Sequence, residues 1–176
     1  VKPMSAVAKN ISAATSADTI HHCIDGGLVE DKGARTLRVY NPAPGEQTGA
    51  VAMASRERVG EAIAAAAKAQ PGWAAIPPVH RARVMFRFRD LLEKHADELA
   101  RVLTSEHGKV LSDARGECIR GMEVVEFAAG IPHLLKGEHS LDVGSGIDSR
   151  SMLQPVGVCA GITPFNFPAM VPLWMF

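Results

Sequence analysis

Aromatic residues are scarce in this chain, with one tyrosine, two tryptophans and six phenylalanines among 176 residues. A surplus of either charge is missing too, because 19 basic residues balance 19 acidic ones without gathering in a block. That balance excludes the electrostatic footprint of a nucleic-acid-binding surface. No apolar run reaches the roughly 18 to 20 residues that span a bilayer, so a soluble chain without a membrane partner is expected. Only three cysteines occur, Cys23, Cys118 and Cys159, and none are spaced CxxC. A disulfide framework and a zinc site are thereby excluded, and a reducing compartment fits. The histidines show no ligand spacing, so no metal is expected. Also absent are GxGxxG and GxSxG, the fingerprints of dinucleotide binding and of a hydrolase nucleophile.

What is present begins with an extension. Residues 1–20 are rich in Ala, Ser and Thr, hold one acidic residue, Asp18, and precede the first arginine, Arg35. They are expected to be disordered, with the cytoplasm as the default compartment and the mitochondrial matrix as the alternative. Asp25-Gly26-Gly27 then predicts a turn between Cys23-Ile24 and Leu28-Val29. Thr36–Tyr40 and Gln47–Met53 are extended, parted by turn signals at Pro42 and Pro44-Gly45.

Helical spacing follows. Ser55 caps a helix to about Ala69, with Val59, Ala62, Ile63 and Ala66 on one face, and Pro71-Gly72 ends it. Pro77-Pro78 opens a second helix that breaks near Ala96-Asp97 and closes at Gly108. A third runs from Ser112 to Ala129, with Ile119, Met122, Val125 and Phe127 as its apolar positions. Gly137 to Ser149 is expected to be a polar surface loop. Val156–Ile162 is small and apolar throughout, as in a strand covered on both faces.

That run stops at Thr163-Pro164, and Asn166 follows between Phe165 and Phe167, with a helix able to start at Pro168. A side-chain amide is a neutral donor, suited to stabilising a developing oxyanion. It is equally suited to satisfying the turn's backbone or capping the next helix. Ile162, Thr163, Pro164 and Phe165 lie at the strand's carboxyl end, where open α/β sheets bind nucleotides. Glu117, Arg120 and Glu123 share a helix face, either as a solvated ion-pair stripe or with Arg120 clamping a substrate carboxylate.

The segment Val156-Gly157-Val158-Cys159-Ala160-Gly161-Ile162-Thr163-Pro164-Phe165-Asn166-Phe167-Pro168 resembles the region of the oxyanion asparagine in the aldehyde dehydrogenase superfamily. Val39-Tyr40-Asn41-Pro42-Ala43, Trp73, Arg81-Ala82-Arg83, Glu106-His107-Gly108-Lys109 and Gly116-Glu117-Cys118-Ile119-Arg120-Gly121 agree in order, so the likeness covers about residues 20 to 176. Arg120 and the Met-Val-Pro-Leu-Trp-Met-Phe ending are similar to the CoA-acylating branch acting on methylmalonate semialdehyde. The resemblance implies an α/β fold: small strands, three helices and the first parallel strand of a Rossmann-like NAD-binding domain. Residues 21–176 would be the N-terminal part of that domain, including an extended oligomerisation-type segment at 140–155.

It further implies NAD held at Ile162, Thr163, Pro164 and Phe165, Asn166 as oxyanion donor, and Arg120 on the substrate carboxylate. Coenzyme A would be the co-substrate, and a homo-oligomer, dimer or tetramer, the assembly. In relatives the nucleophilic cysteine lies beyond the position of Phe176, so the catalytic domain is expected to be absent here and residues 1–176 alone inactive. Another carboxylate semialdehyde such as succinate semialdehyde, or a truncated non-catalytic assembly fragment, are the alternatives.

Overall fold

The computed structural model describes residues 19–31 and 33–175. Of the expected N-terminal extension, residues 1–18 lie outside the described residues. The chain divides into two compact units, Val1–Ala65 and Ala66–Phe176. Among the described residues it is a mixed α/β structure of small sheets and five α-helices.

In the first unit, β1 (Thr19–Ile20) pairs in parallel with β5 (Gln47–Ala52), which pairs antiparallel with β4 (Thr36–Tyr40). Sequence pattern missed β1, because two residues carry no periodicity. The predicted hairpin forms from β2 (His22–Ile24) and β3 (Gly27–Val29). Its turn puts both Asp25 and Gly26 at positive φ, 52° and 71°, as the twist of a two-residue hairpin loop requires. Gly27 itself belongs to the strand.

Helix α1 (Arg56–Ala75) starts where expected, with the Arg58 N–H donating to Ser55 Oγ at 3.2 Å. It does not stop at Pro71, which lies inside it. A proline removes one helical hydrogen bond at a cost of about 3 kcal/mol. The alanine run before it favours helix, and Trp73 and Ala74 after it border a cleft with Ala82 and Met85. No residue of α1 is buried, and Val59 and Ile63 on its apolar face stay exposed.

The second unit is a small helical bundle. Helix α2 (Pro78–Lys94) ends at His95, and α3 (Ala96–His107) follows at once and closes on Gly108. Helix α4 (Leu111–Ala129) packs on both and on α5 (Met170–Met175). The core joins Ala100 and Leu103 of α3 to Ala114 and Cys118 of α4, with Leu99, Leu111 and Ala169 against them. The buried face of α4 is therefore made of small residues, Ala114, Cys118, Gly121 and Ala129, with Val125 and Glu117. Of its larger apolar side chains, Ile119 and Phe127 are exposed. Two exposed ties lace the bundle: Arg89 on Glu126 at 2.8 Å and Arg115 on Asp97 at 2.8 Å.

Two expectations fail here. The segment read as a polar loop is a hairpin of β6 (His139–Gly144) and β7 (Ile147–Arg150), closed by turn residues 145–146. Both faces of this ribbon are exposed, so its side chains need not alternate between apolar and polar, and its polarity concealed it. Its base is fixed by the Ser151 N–H donating to the Glu138 carbonyl at 2.8 Å. Val156–Ile162, expected as a strand covered on both faces, forms no strand, and Val156 and Ile162 are each 94% exposed. A parallel strand exists only through the ladder its neighbours supply, and none of the described residues pairs with this segment.

The approach of α5 to α4 depends on Gly121. A Cβ there would lie 2.6 Å from Leu173 Cδ1 and 3.3 Å from the Met170 Cα. At Gly60 on α1 a Cβ meets nothing within 4 Å. Gly121→Ala is expected to destabilise the protein by about 1–3 kcal/mol, and Gly60→Ala to stabilise it by up to about 1 kcal/mol through helix propensity. Denaturant unfolding of the two variants checks this, and equal effects at both sites would contradict it.

Candidate active site

Three pieces of chain meet at one end of the bundle: the Gly108-Lys109 link between α3 and α4, the second and third turns of α4, and residues 166–170 leading into α5. Small residues on α4 let these pieces come close, and the resulting gap contains a charge. Glu117 is completely buried. Its Oε2 accepts from Lys109 Nζ at 2.5 Å. Its Oε1 accepts the backbone N–H groups of Ala169 at 2.8 Å and Met170 at 3.1 Å. Lys109 Nζ also donates to the Asn166 carbonyl at 3.1 Å and stands 4.5 Å from the centre of the Phe167 ring.

Burial alone, the largest single influence, would push the Glu117 pKa up. The Lys109 hydrogen bond, the Met170 and Ala169 amides and the Lys109 charge together outweigh it and hold the carboxyl below its ordinary value of 4.5. An ionised buried carboxylate persists only when paired and hydrogen-bonded, and here both oxygens are used. The neighbouring Cys118 thiol is pushed up by burial and then by the Glu117 charge, which makes it a poor nucleophile.

Above this pair lies an open cleft of about 380 Å³ lined by Lys109, Ser112, Asp113, Gly116, Arg120, Asn166 and Phe167. Asn166 and Arg120, 46 positions apart in sequence, thus face the same space. Among the described residues no carboxylate pairs with Arg120. Its guanidinium carbon lies 6.0 Å from the Phe167 ring centre, and its Nη1 passes close to Gly116. The Asn166 side-chain amide has no partner among the described residues, and so is not spent on capping α5. Glu117 leaves the expected solvated stripe, because it is buried on Lys109.

Ile162 and Thr163 line a separate cleft of about 470 Å³ with Cys159, Ala160, Gly161 and Met175. Pro164 and Phe165 project outward, Phe165 at 88% exposure. The backbone donors and acceptors of these four residues are unpaired among the described residues. No charged side chain occurs in residues 151–176, so an anionic ligand here meets no like charge. No group of His, Cys, Asp and Glu able to hold a metal ion, and no helix long and apolar enough to cross a membrane, occurs among the described residues.

Sequence pattern missed the Glu117–Lys109 pair. The available signal was Glu117's place among Ala114, Cys118 and Gly121, at i−3, i+1 and i+4. A carboxylate central to a face of small residues is buried and needs a cation, and Lys109 follows directly on the helix-ending Gly108.

A model of the aldehyde dehydrogenase family matches residues 28–176. A malonate-semialdehyde dehydrogenase of Pseudomonas aeruginosa is 50% identical over 158 residues, 90% of this chain and 32% of its own length. A solved methylmalonate-semialdehyde dehydrogenase from Oceanimonas doudoroffii superposes with a TM-score of 0.85 at 58% identity, covering 89% of this chain and 32% of that one. A Sinorhizobium meliloti protein solved in complex with NAD gives 0.85 at 49% identity, covering 90% and 32%. This chain therefore spans about a third of the length of these relatives.

The depressed Glu117 pKa has a definite sign in stability. Its contribution is fully present above the ordinary carboxyl value of 4.5 and is lost as pH falls through the lower folded value. The stability gap between the wild type and Glu117→Gln is expected to be widest at neutral pH and to shrink as pH is lowered below 4.5. Denaturant melts across pH measure it, and a gap that stays constant or widens in acid would refute the pairing.

Proposed function

The chain belongs to the aldehyde dehydrogenase family, and from that premise we propose that it is the N-terminal part of a NAD-dependent, CoA-acylating semialdehyde dehydrogenase. The proposed substrates are methylmalonate semialdehyde and malonate semialdehyde, giving propionyl-CoA and acetyl-CoA with release of CO₂. The observation that carries this reading is the single cleft onto which Asn166 and Arg120 both open. An aldehyde that also bears a carboxylate needs a neutral donor at one end and a cation at the other, and this cleft offers both. The relatives above carry the names of the same substrates.

The chemistry divides among these groups. A cysteine thiolate from outside residues 1–176 attacks the aldehyde carbon, a C–S bond forms, and the carbonyl electron pair moves onto oxygen. Asn166 donates its amide N–H to that oxyanion, where a preorganised donor is worth about 10²- to 10³-fold in rate. Arg120 holds the carboxylate as a fork-shaped donor pair. NAD⁺ would be held at Ile162, Thr163, Pro164 and Phe165 and would supply the hydride acceptor that brings that carbon to the thioester level. The thiolate of coenzyme A displaces the enzyme sulfur; the C–C bond to the substrate carboxylate breaks to release CO₂, and the α-carbon that keeps the electron pair takes up a proton from water to leave the shortened acyl group.

The unpaired backbone and uncharged surroundings of Ile162, Thr163, Pro164 and Phe165 fit a dinucleotide. We assign them to its binding by the same reading. Cys23, Cys118 and Cys159 have no part as nucleophile; Cys118 is buried with a raised pKa. A homo-oligomer, in the cytoplasm or the mitochondrial matrix, belongs to the same proposal, supported by the exposed Leu141, Val143 and Ile147 of the β6–β7 hairpin.

Steady-state kinetics of the full-length protein test this. NADH formation from methylmalonate semialdehyde should require CoA, and NADH formation indifferent to CoA would sink the acylating assignment. Arg120→Ala should weaken binding of the carboxylated aldehyde by about 2–5 kcal/mol, as for a broken desolvated charge pair. An unchanged KM would remove Arg120 from the site. Asn166→Ala should lower kcat about 10²-fold or more, and unchanged turnover would remove Asn166.

A further inference from the structure

The donor at Asn166 can act only if the loop that carries it is held still, and very little holds it. Among the described residues, the stretch from Leu153 to Pro168 makes two hydrogen bonds beyond itself: Lys109 Nζ donates to the Asn166 carbonyl at 3.1 Å, and the Val171 N–H of α5 donates to the Phe167 carbonyl at 3.2 Å. The next two residues are fixed by Glu117 Oε1, which accepts from the amides of Ala169 and Met170. Lys109 and Glu117 are bonded to each other and sit almost wholly out of solvent, with side-chain exposures of 13% and 0%. One ion pair thus holds the chain at the Asn166 carbonyl and again just beyond Phe167, the two loop residues that line the cleft.

Resting on the oxyanion role read above for Asn166, we propose that Glu117 and Lys109 are positioning residues, which aim the Asn166 amide at the reacting oxygen by fixing backbone groups at 166, 169 and 170. A purely structural duty accounts for the pair less well. Attachment of α5 to α4 is already secured by apolar contact at Gly121, where Leu173 and Met170 approach closely. For simple adhesion, well-packed apolar residues serve as well as a buried ion pair or better. What apolar residues cannot do is accept two consecutive N–H groups while drawing in the carbonyl three residues earlier. That pattern fixes the orientation of a loop. Misplacement of a reacting group by about 1 Å costs on the order of 10²-fold in rate, so orientation at this point has a large kinetic value.

A double-mutant cycle on the full-length enzyme tests the proposal. Glu117→Gln and Lys109→Gln are expected to lower kcat about tenfold or more, with KM for the semialdehyde changed by less than about threefold. Lys109→Arg should restore part of the loss, because the cation and its hydrogen bonds return. In an Asn166→Ala background, Glu117→Gln should change kcat by less than about twofold, since residues acting through one another do not add. Arg115→Gln, which cuts an exposed pair on the same helix, should leave kcat unchanged and serves as the control. Equal losses with and without Asn166, or full kcat in both Glu117→Gln and Lys109→Gln, would overturn the positioning role. If Glu117→Gln does not fold, Lys109→Gln carries the same cycle. An Asn166→Ala enzyme with normal kcat would instead overturn the oxyanion reading itself, an outcome distinct from additivity.

Discussion

The carboxylate of Glu117 is the point on which the second unit of this chain turns. A buried charge is among the most expensive things a small bundle can contain. It persists because four groups converge on it or its partner: the Lys109 ammonium, two successive amides at the head of α5, and the Asn166 carbonyl reached through Lys109. Three segments distant in sequence are tied at this place. Without the pair, α4 and α5 would still meet across Gly121, but the residues leading into α5 would keep only packing and the first backbone bonds of α5, from the Val171 and Leu173 N–H groups to the Phe167 and Ala169 carbonyls.

The small-residue face of α4 makes this arrangement possible. Ala114, Cys118 and Gly121 bring neighbouring backbones close enough for a short carboxylate to reach main-chain N–H groups directly. Each glycine within a helix costs roughly 1 kcal/mol against alanine. One such position in α4 has an evident reason: Gly121 admits α5. The helix thereby buries an anion on one side while it holds a cation free on an adjacent one. That division of charge suits a site for a substrate that is itself a carboxylate.

Most elements with strong local signals were legible in the sequence. The Asp25-Gly26 turn, the Ser55 cap and the stop at Gly108 follow from single-residue conformational preferences, and the break expected near Ala96-Asp97 falls one residue earlier, at His95. Elements whose definition depends on partners were not. β1 is two residues long and exists through β5, and the β6–β7 ribbon has no buried face to create a period. Val156–Ile162 shows the converse: a sequence suited to a buried strand, with no ladder among the described residues to make it one. For the site, Asn166 and Arg120 could be singled out by residue type, yet their shared cleft is a tertiary fact. Glu117 was visible only as a charge on a helix, since spacing alone does not tell a solvated glutamate from a buried one.

The central claim is that one buried ion pair fixes the backbone around Asn166, and hydrogen exchange at the amides it binds tests that most directly. In the full-length protein the Ala169 and Met170 amides should exchange slowly. In Glu117→Gln they should lose protection by about tenfold or more while amides in the middle of α4 keep theirs. Unchanged protection at Ala169 and Met170 in that variant would contradict the account.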